Sequence, residues 1–425
     1  WSMREMKDSG IEWIGEIPRN KRIIRNKYLL VYTKGKLPID TNFEGIGFPY
    51  IGATDLDSNE PCKTYTSDKT LPDSCDSDLL VLWDGARAGL CGTHKVGKVS
   101  STIVRIREVD STIYRPFLYW YYKGFEDYMY QRVNGTTIPH MNRRYIEEIQ
   151  MIDWTVQEQR RIADYLDRKC NQIDAIIARQ QEVIEKLKDY KLSIITEAVT
   201  KGLNPDVPMK DSGVEWIGEI PDFWNVVPLK TCSDILPGYA FSSNDFDTEN
   251  GTALLRGINV TPNGVRWEDV VYWNKPITEQ LRAFELVAGD IVVGLDRPWV
   301  SGGTRVCWVT QKDLPALLLQ RVCRIRAKEN IDSRWIYHWI ASKSFQEALS
   351  IETTGVSVPH ISTKQIGQFS ITLPPIEVQH QICDTLETKC YSIDKIADKK
   401  QAIIDKLTEY KKSLIYEDVT GKKEV

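Results

Sequence analysis

The chain has 425 residues, room for two or three domains, and its 42% hydrophobic and 27% charged content is that of an ordinary globular protein. Its net charge of -4 argues against a stand-alone nucleic-acid binder, which is usually basic. No apolar run approaches the ~20 residues of a membrane span. Nine scattered cysteines without CxxC pairs, and an N-terminus without a secretion signal's order, fit reduced thiols in a cytoplasm.

The first element, residues 1–21, carries the phrase "MKDSGIEWIGEIP", Met6 to Pro18. Residues 22–156 follow as short β-rich runs separated by Gly, Pro and Asp turns, the pattern of a mixed α/β domain. Three motifs there imitate chemistry. "FEGIG" (Phe43 to Gly47) has the look of an S-adenosylmethionine loop, but Pro49 disfavours the helix such a loop needs, so it reads as a turn. "GTHKVGK" (Gly92 to Lys98) nearly makes a phosphate loop, but Val99 stands where Ser or Thr must reach magnesium. It reads instead as an exposed basic loop, with Lys95 and Lys98 as DNA-contact candidates. The aromatic run from Tyr114 to Tyr130 reads as core packing rather than base stacking.

Residues 157–201 form a long amphipathic helix. Its seams are Cys170, Ile177, Ile184, Ala198 and Leu166, Ile173, Leu187, Ile194, a seven-residue repeat. Thr155 with Glu158 forms a capping box ahead of it, and Gly202 follows its last turn. Residues 202–221 then repeat the opening phrase as "MKDSGVEWIGEIP", Met209 to Pro221, with Val214 for Ile11 as the single change. Residues 222–376 form a second variable segment, and residues 377–421 a second long helix. The second helix aligns without gaps on the first at about half identity. Its seams are Cys390, Ala397, Ile404 and Leu386, Ile393, Leu407, Leu414. Gln180/Lys400 and Lys191/Lys411 interrupt both copies at equivalent places, as register-fixing polar positions do.

The variable segments differ widely but share landmarks. "DLLVLWDGARAG" from Asp78 parallels "DIVVGLDRPWVSGG" from Asp290, and "VRIRE" from Val104 parallels "CRIRAKE" from Cys323. "YRPFLYWYY" from Tyr114 parallels "SRWIYHWIA" from Ser333, and His140 and His360 hold matched positions in "IPH" and "VPH". The histidines read as a structural pair, none at metal-ligand spacing. Arg87 and Arg297 each follow an apolar strand and an Asp in a Gly-containing loop, where an arginine can bridge guanine O6 and N7 or clamp phosphate. Arg143, Arg144, Arg305 and Lys364 are weaker candidates of the same kind.

The order phrase, variable segment, helix, repeated twice, resembles the specificity subunits of type I restriction–modification systems over essentially the whole chain. The resemblance implies an α+β fold: two mixed α/β target recognition domains separated by two long helices forming an antiparallel coiled coil, with internal pseudo-twofold symmetry. It implies a non-catalytic DNA-recognition subunit for a bipartite, non-palindromic site. The partners implied are double-stranded DNA, two copies of a modification methyltransferase and a restriction subunit, with no membrane. No cofactor is implied in this chain; S-adenosylmethionine belongs to the methyltransferase, and ATP and Mg to the restriction subunit. The repeated phrases supply candidate partner contacts at Trp13, Ile14, Trp216 and Ile217. One departure is local: Lys21 stands where the second copy has Trp224, which predicts looser packing there. Two other readings compete, a scaffold that dimerises a partner without DNA and a self-sufficient methyltransferase or nuclease.

Overall fold

The computed structural model describes residues 5–424 apart from 59, 134–138, 143–145, 147–148, 263, 301–302 and 351–358. It divides into two units, residues 1–180 with 402–425 and residues 181–401. Each unit therefore joins one variable domain to part of each long helix.

The first unit contains an antiparallel sheet of β1 (Leu30–Lys34), β2 (Leu79–Leu82), β3 (Cys91–Gly92) and β4 (Ile103–Glu108), in the order β1-β4-β2-β3. The second unit repeats it with β5 (Ser233–Pro237), β6 (Ile291–Gly294), β7 (Val306–Trp308) and β8 (Val322–Ala327), ordered β5-β8-β6-β7. The central strands are apolar without alternation because both faces are covered. Leu79 and Val81 enter the core shared with the helices, while Leu80 and Leu82 enter a second core with Ile51 and Val99. In the other unit Ile291 and Val293 face the helix side, and Val292 faces away. A buried carboxylate anchors each sheet. Asp78 receives Arg107 Nε at 2.6 Å, and Asp290 receives Arg326 Nε at 2.7 Å. Burial opposes ionisation of Asp78, but Arg107 and the Cys75 N–H outweigh it and hold the carboxyl below its usual range.

Against the sheets lie α1 (Arg115–Gly124) and α3 (Ser333–Ala341), whose aromatic faces are core. Phe117, Tyr121 and Tyr122 in α1, and Trp335 and Trp339 in α3, are fully buried. The structure corrects their alignment by one residue. Gln159 Oε1 accepts from Tyr114 N at 2.7 Å and its twin Gln379 Oε1 accepts from Asp332 N at 3.0 Å, so Tyr114 matches Asp332, not Ser333.

The long helices are α2 (Val156–Lys201) and α4 (Ile376–Thr420). In the first unit Leu166, Cys170 and Ile173 of α2 share a core with Leu414 of α4, with Ile177 and Leu407 packed against it; Ile404 is also buried. In the second unit Leu386 and Cys390 of α4 share a core with Ile195, Ala198 and Val199 of α2; Ile184 and Ile393 are buried and Leu187 is half-buried. In each unit the start of one helix meets the end of the other, so the pairing is antiparallel. Two of the polar seam positions, Lys191 and Lys411, have a direct explanation. Lys411 Nζ donates to Asp174 at 2.6 Å in the first unit, and Lys191 Nζ donates to Asp394 at 2.7 Å in the second. Lys191 is the twin of Lys411, and Asp174 of Asp394, so the second unit repeats the first unit's contact with the roles of the two helices exchanged. Glu158 Oε2 accepts from Thr155 N at 2.8 Å, and Glu158 N donates to Thr155 Oγ1 at 3.3 Å, which closes the capping box of α2. Gly202 and Gly421 end the helices at φ 80 and 73, the left-handed position that favours glycine.

The expectation of looser packing at Lys21 is overturned. Lys21 is only 6% exposed; its ammonium lies 4.8 Å above the Trp154 ring and 2.5 Å from Glu158 Oε2. The indole missing after the first phrase comes from Trp154 instead. A side chain at Gly421 would meet Trp154 at 2.7 Å, as one at Gly202 would meet Trp224 at 3.2 Å. The end of α4 thus lies against the first phrase, with the Tyr416 hydroxyl donating to Ile14 O at 3.0 Å. No described helix is long and apolar enough to cross a membrane.

Candidate nucleic-acid interface

Both domains build the same strand end from backbone hydrogen bonds. In the first, Trp83 N donates to Thr102 O at 2.7 Å, Gly85 N to Pro139 O at 2.8 Å and Met141 N to Trp83 O at 2.8 Å. In the second, Leu295 N donates to Arg321 O at 3.0 Å, Arg297 N to Pro359 O at 2.8 Å and Ile361 N to Leu295 O at 2.9 Å. Each places an aspartate opposite a histidine, Asp84 with His140 and Asp296 with His360, so the backbones of both histidines belong to the framework.

The side chains mounted on this framework differ. Arg297 takes the place of Gly85, at φ 45. A side chain built on Gly85 would meet nothing within 4 Å, so this position points into open space. A second exposed arginine, Arg321, replaces Thr102, is 74% exposed and has φ 68; its Nη1 lies 3.5 Å from Asp296 Oδ2. Sequence reading missed Arg321, because only its backbone conformation and its neighbour mark it. Lys364, exposed in a short helix (Thr363–Gln368), stands four residues beyond His360. In the first domain the same strand end carries Lys34, whose Nζ donates to Asp84 Oδ2 at 3.0 Å.

The other candidates separate. Arg305 is a supporting residue: it packs against Gly294, donates through Nη1 to Asp296 O at 3.0 Å, and burial lowers its pKa. Arg87 is exposed but engaged, its Nη1 2.5 Å from Asp57 Oδ2. The Lys95 ammonium donates to Ser58 O. Lys98 does not belong to an exposed loop. It is 4% exposed in the strand Gly97–Val99, where the second domain has the core residue Leu317, and its ammonium is held by Asp73 Oδ1 at 2.7 Å and two carbonyls. Arg143 and Arg144 lie outside the described residues. "FEGIG" is a turn closed by Asn42 Oδ1, which accepts from Glu44 N and Ile46 N at 3.2 Å each, and a strand follows it. "GTHKVGK" runs into a strand as well. Among the described residues no group of three His, Cys, Asp or Glu could hold a metal ion.

The phrase residues also divide. Ile14 and Ile217 are core, at 0% and 6% exposure, and cannot meet a partner in the folded chain. Trp13 is half-buried, edge-on to Phe125 at 4.6 Å. Trp216 is exposed and stacked on Phe369 at 5.7 Å. A second apolar set on the helices was missed because it lies outside the seams. The first unit exposes Ile176, Ile403 and Tyr410; the second exposes their twins Ile396 and Tyr190, with Val183 half-buried.

Comparison with known proteins follows this division. Residues 221–406 match the family described as Type I restriction modification DNA specificity domain. The chain is similar to the type I restriction enzyme MjaVIII specificity subunit of Methanocaldococcus jannaschii, with 30% identity over 96% of this chain and 93% of that one. It is also similar to the Escherichia coli EcoAI specificity subunit, with 29% identity over 51% of this chain and 36% of that one. A chain solved in work on complex assembly and conformational transition of the type I R-M system has the same fold, with a TM-score of 0.67, 15% identity and coverage of 95% of this chain and 98% of that one. With its two repeated units and near full-length likeness to a curated member, the chain belongs to the specificity subunits of type I restriction–modification systems, the non-catalytic subunits that recognise the DNA sequence.

Proposed function

We propose that the two units read two different half-sites of one bipartite, non-palindromic DNA sequence, and that their repeated helix surfaces hold two copies of the modification methyltransferase. The observation that carries this reading is one strand-end framework with different side chains in the two domains. Identical backbone bonds fix the geometry, while Gly85 and Thr102 become Arg297 and Arg321. A fixed geometry with exchangeable side chains suits two readers of different sequence. The twin apolar sets around Tyr410 and Tyr190 support two equivalent docking surfaces, the arrangement that accepts two copies of one partner. Trp13 and Trp216 are the phrase residues with surface left for that contact.

The methyl transfer and S-adenosylmethionine then belong to the methyltransferase, and ATP and Mg to a restriction subunit acting in the cytoplasm. A partner's basic surface would offset this chain's net charge of -4 at the duplex. Arg297 is placed to read guanine or to clamp phosphate. Replacing Asp222 to Ile376 with the equivalent segment of another family member tests the division. Single-molecule mapping of methylated DNA should show one half of the motif changed and the other intact; changes in both halves would contradict independent reading.

A further inference from the structure

Five described residues other than glycine have positive φ: His94, Asp269, Arg297, Arg321 and Asn330. Histidine, aspartate and asparagine adopt this conformation comparatively readily; arginine does so seldom. Both arginines flank one residue in the fold, Asp296. Arg297 is the next residue, and Arg321 reaches its Oδ2 from the start of β8 at 3.5 Å. The other carboxylate oxygen, Oδ1, lies 2.6 Å from His360 Nδ1. Asp296 thus holds an arginine on one side and a histidine on the other, while Arg305 braces its carbonyl from below.

The chemistry of the outward atoms follows. A carboxylate accepts only, so His360 Nδ1 carries the hydrogen, and in the ring's neutral form Nε2 is an acceptor. The guanidinium groups present donors and no acceptor. In the major groove a G·C pair shows two acceptors, guanine N7 and O6, beside one donor, the cytosine N4 amine; an A·T pair does not show this order. The strand end of the second domain has the complementary set.

We infer that Arg297, Arg321 and His360 form a G·C-reading site in the half-site of the second domain, with Asp296 as the positioning residue. The inference rests on the proposal that this domain reads its own half-site. The first domain, with Gly85 and Thr102 at the equivalent places and Lys34 on Asp84, lacks the set.

The test uses the chain assembled with its methyltransferase partner and duplexes carrying its methylated motif. Each guanine of the second half-site is replaced in turn by 7-deazaguanine, which removes N7, or by inosine, which keeps the major-groove pattern. At one pair 7-deazaguanine should weaken binding about 5- to 150-fold, the range for a bidentate arginine contact, while inosine changes it little. Arg297→Gly and Arg321→Gly relieve the backbone conformation, so folding is preserved. At least one of them should abolish the 7-deazaguanine effect. His360→Phe should lower discrimination against A·T at the same pair. If no pair responds to 7-deazaguanine, or both arginine variants weaken every sequence equally with a salt slope reduced by about one each, the G·C site is wrong and the arginines clamp phosphate. The segment replacement described above separates this outcome from failure of the half-site proposal, because it reports on the domain without these residues.

Discussion

The two junctions where a phrase meets the end of a long helix solve one packing problem with different residues. In the second unit Trp224 fills the space beside Gly202, and its surroundings are apolar: Pro374 and Pro375 precede α4, and Val378 packs onto the core. In the first unit the twins of these four residues are Lys21, Trp154, Thr155 and Glu158. The indole has moved from just after the phrase to the link between the strand Gln150–Ile152 and α2, and an ion pair with a capping box fills the rest. The same carbonyl is satisfied in both by unlike donors. Trp154 Nε1 donates to Val419 O at 3.1 Å, and Thr372 Oγ1 donates to the twin Val199 O at 2.6 Å. The lesson is that the volume and the hydrogen bond are fixed at a junction, whereas the position that supplies them is not.

The seam offers the strongest way to break the likeness. Ile184 and Ile404 are twins, both buried, one in each unit. An aspartate at either site puts a charge into an apolar stripe at a cost of several kcal/mol. Ile184→Asp and Ile404→Asp should each abolish assembly with the methyltransferase, measured by native mass, while circular dichroism retains the sheet signal of the variable domains. Assembly surviving in one variant but not the other would show that the seams are not equivalent.

The indoles come next. Trp154→Ala and Trp224→Ala each remove a buried ring, at about 3–5 kcal/mol. Denaturant unfolding should give similar losses for both although the residues occupy unrelated sequence positions. A loss confined to Trp224 would mean that Trp154 does not replace it.

This exchange also marks what could be read from the sequence. The phrase, the helices and their seams were legible because each leaves a local periodic signal. The reciprocal pairing of Lys411 with Asp174 was half legible: the polar interruptions were visible, but their partners lie on the other helix. Trp154 was not legible as the substitute for Trp224, since its role depends on a contact with Gly421, far along the chain. Lys98 misled because a lysine in a Gly-rich stretch looks exposed, whereas its ammonium lies against Asp73 and carbonyls in a core strand. At the candidate site Arg297 was found by its place after a strand, while Arg321 needed the backbone angle and Asp296 to single it out.

A smaller asymmetry concerns Asp418, which is fully buried; neither carboxylate oxygen has a hydrogen-bond partner. Its twin in the second unit is Ala198. Burial pushes the Asp418 carboxyl up to about 7, against the pull of Lys423. A group with a raised folded pKa contributes stability that is complete below its unfolded pKa of ~3.9 and is lost as pH rises toward 7. Asp418→Ala should therefore raise the melting temperature at pH 8, by an amount equivalent to ~4 kcal/mol at most, and change it far less at pH 4. Equal effects at both pH values would show that Asp418 is not titrating with folding.

The smallest expected effect sharpens the comparison most. Burial opposes ionisation of Glu158, but Lys21 and the Thr155 N–H and hydroxyl overcome it and keep the carboxyl below its usual range. A depressed folded pKa gives stability that is present above the unfolded value of ~4.3 and lost as pH falls through the folded one. Lys21→Met alone should cost about 1–3 kcal/mol, because it leaves a poorly solvated carboxylate without its cation. Adding Glu158→Gln removes that charge and retains an acceptor for Thr155, so the capping box survives. The double variant should return to within ~1 kcal/mol of the parent, since a buried ion pair contributes little beyond an apolar pair of similar volume. It should also lose the parent's acid-dependent fall in stability at this junction, so that the first junction behaves like the second, where Trp224 and Val378 carry no charge. If the double variant were as unstable as Lys21→Met alone, the ion pair would be indispensable, and the two junctions would not be alternative solutions to one packing problem.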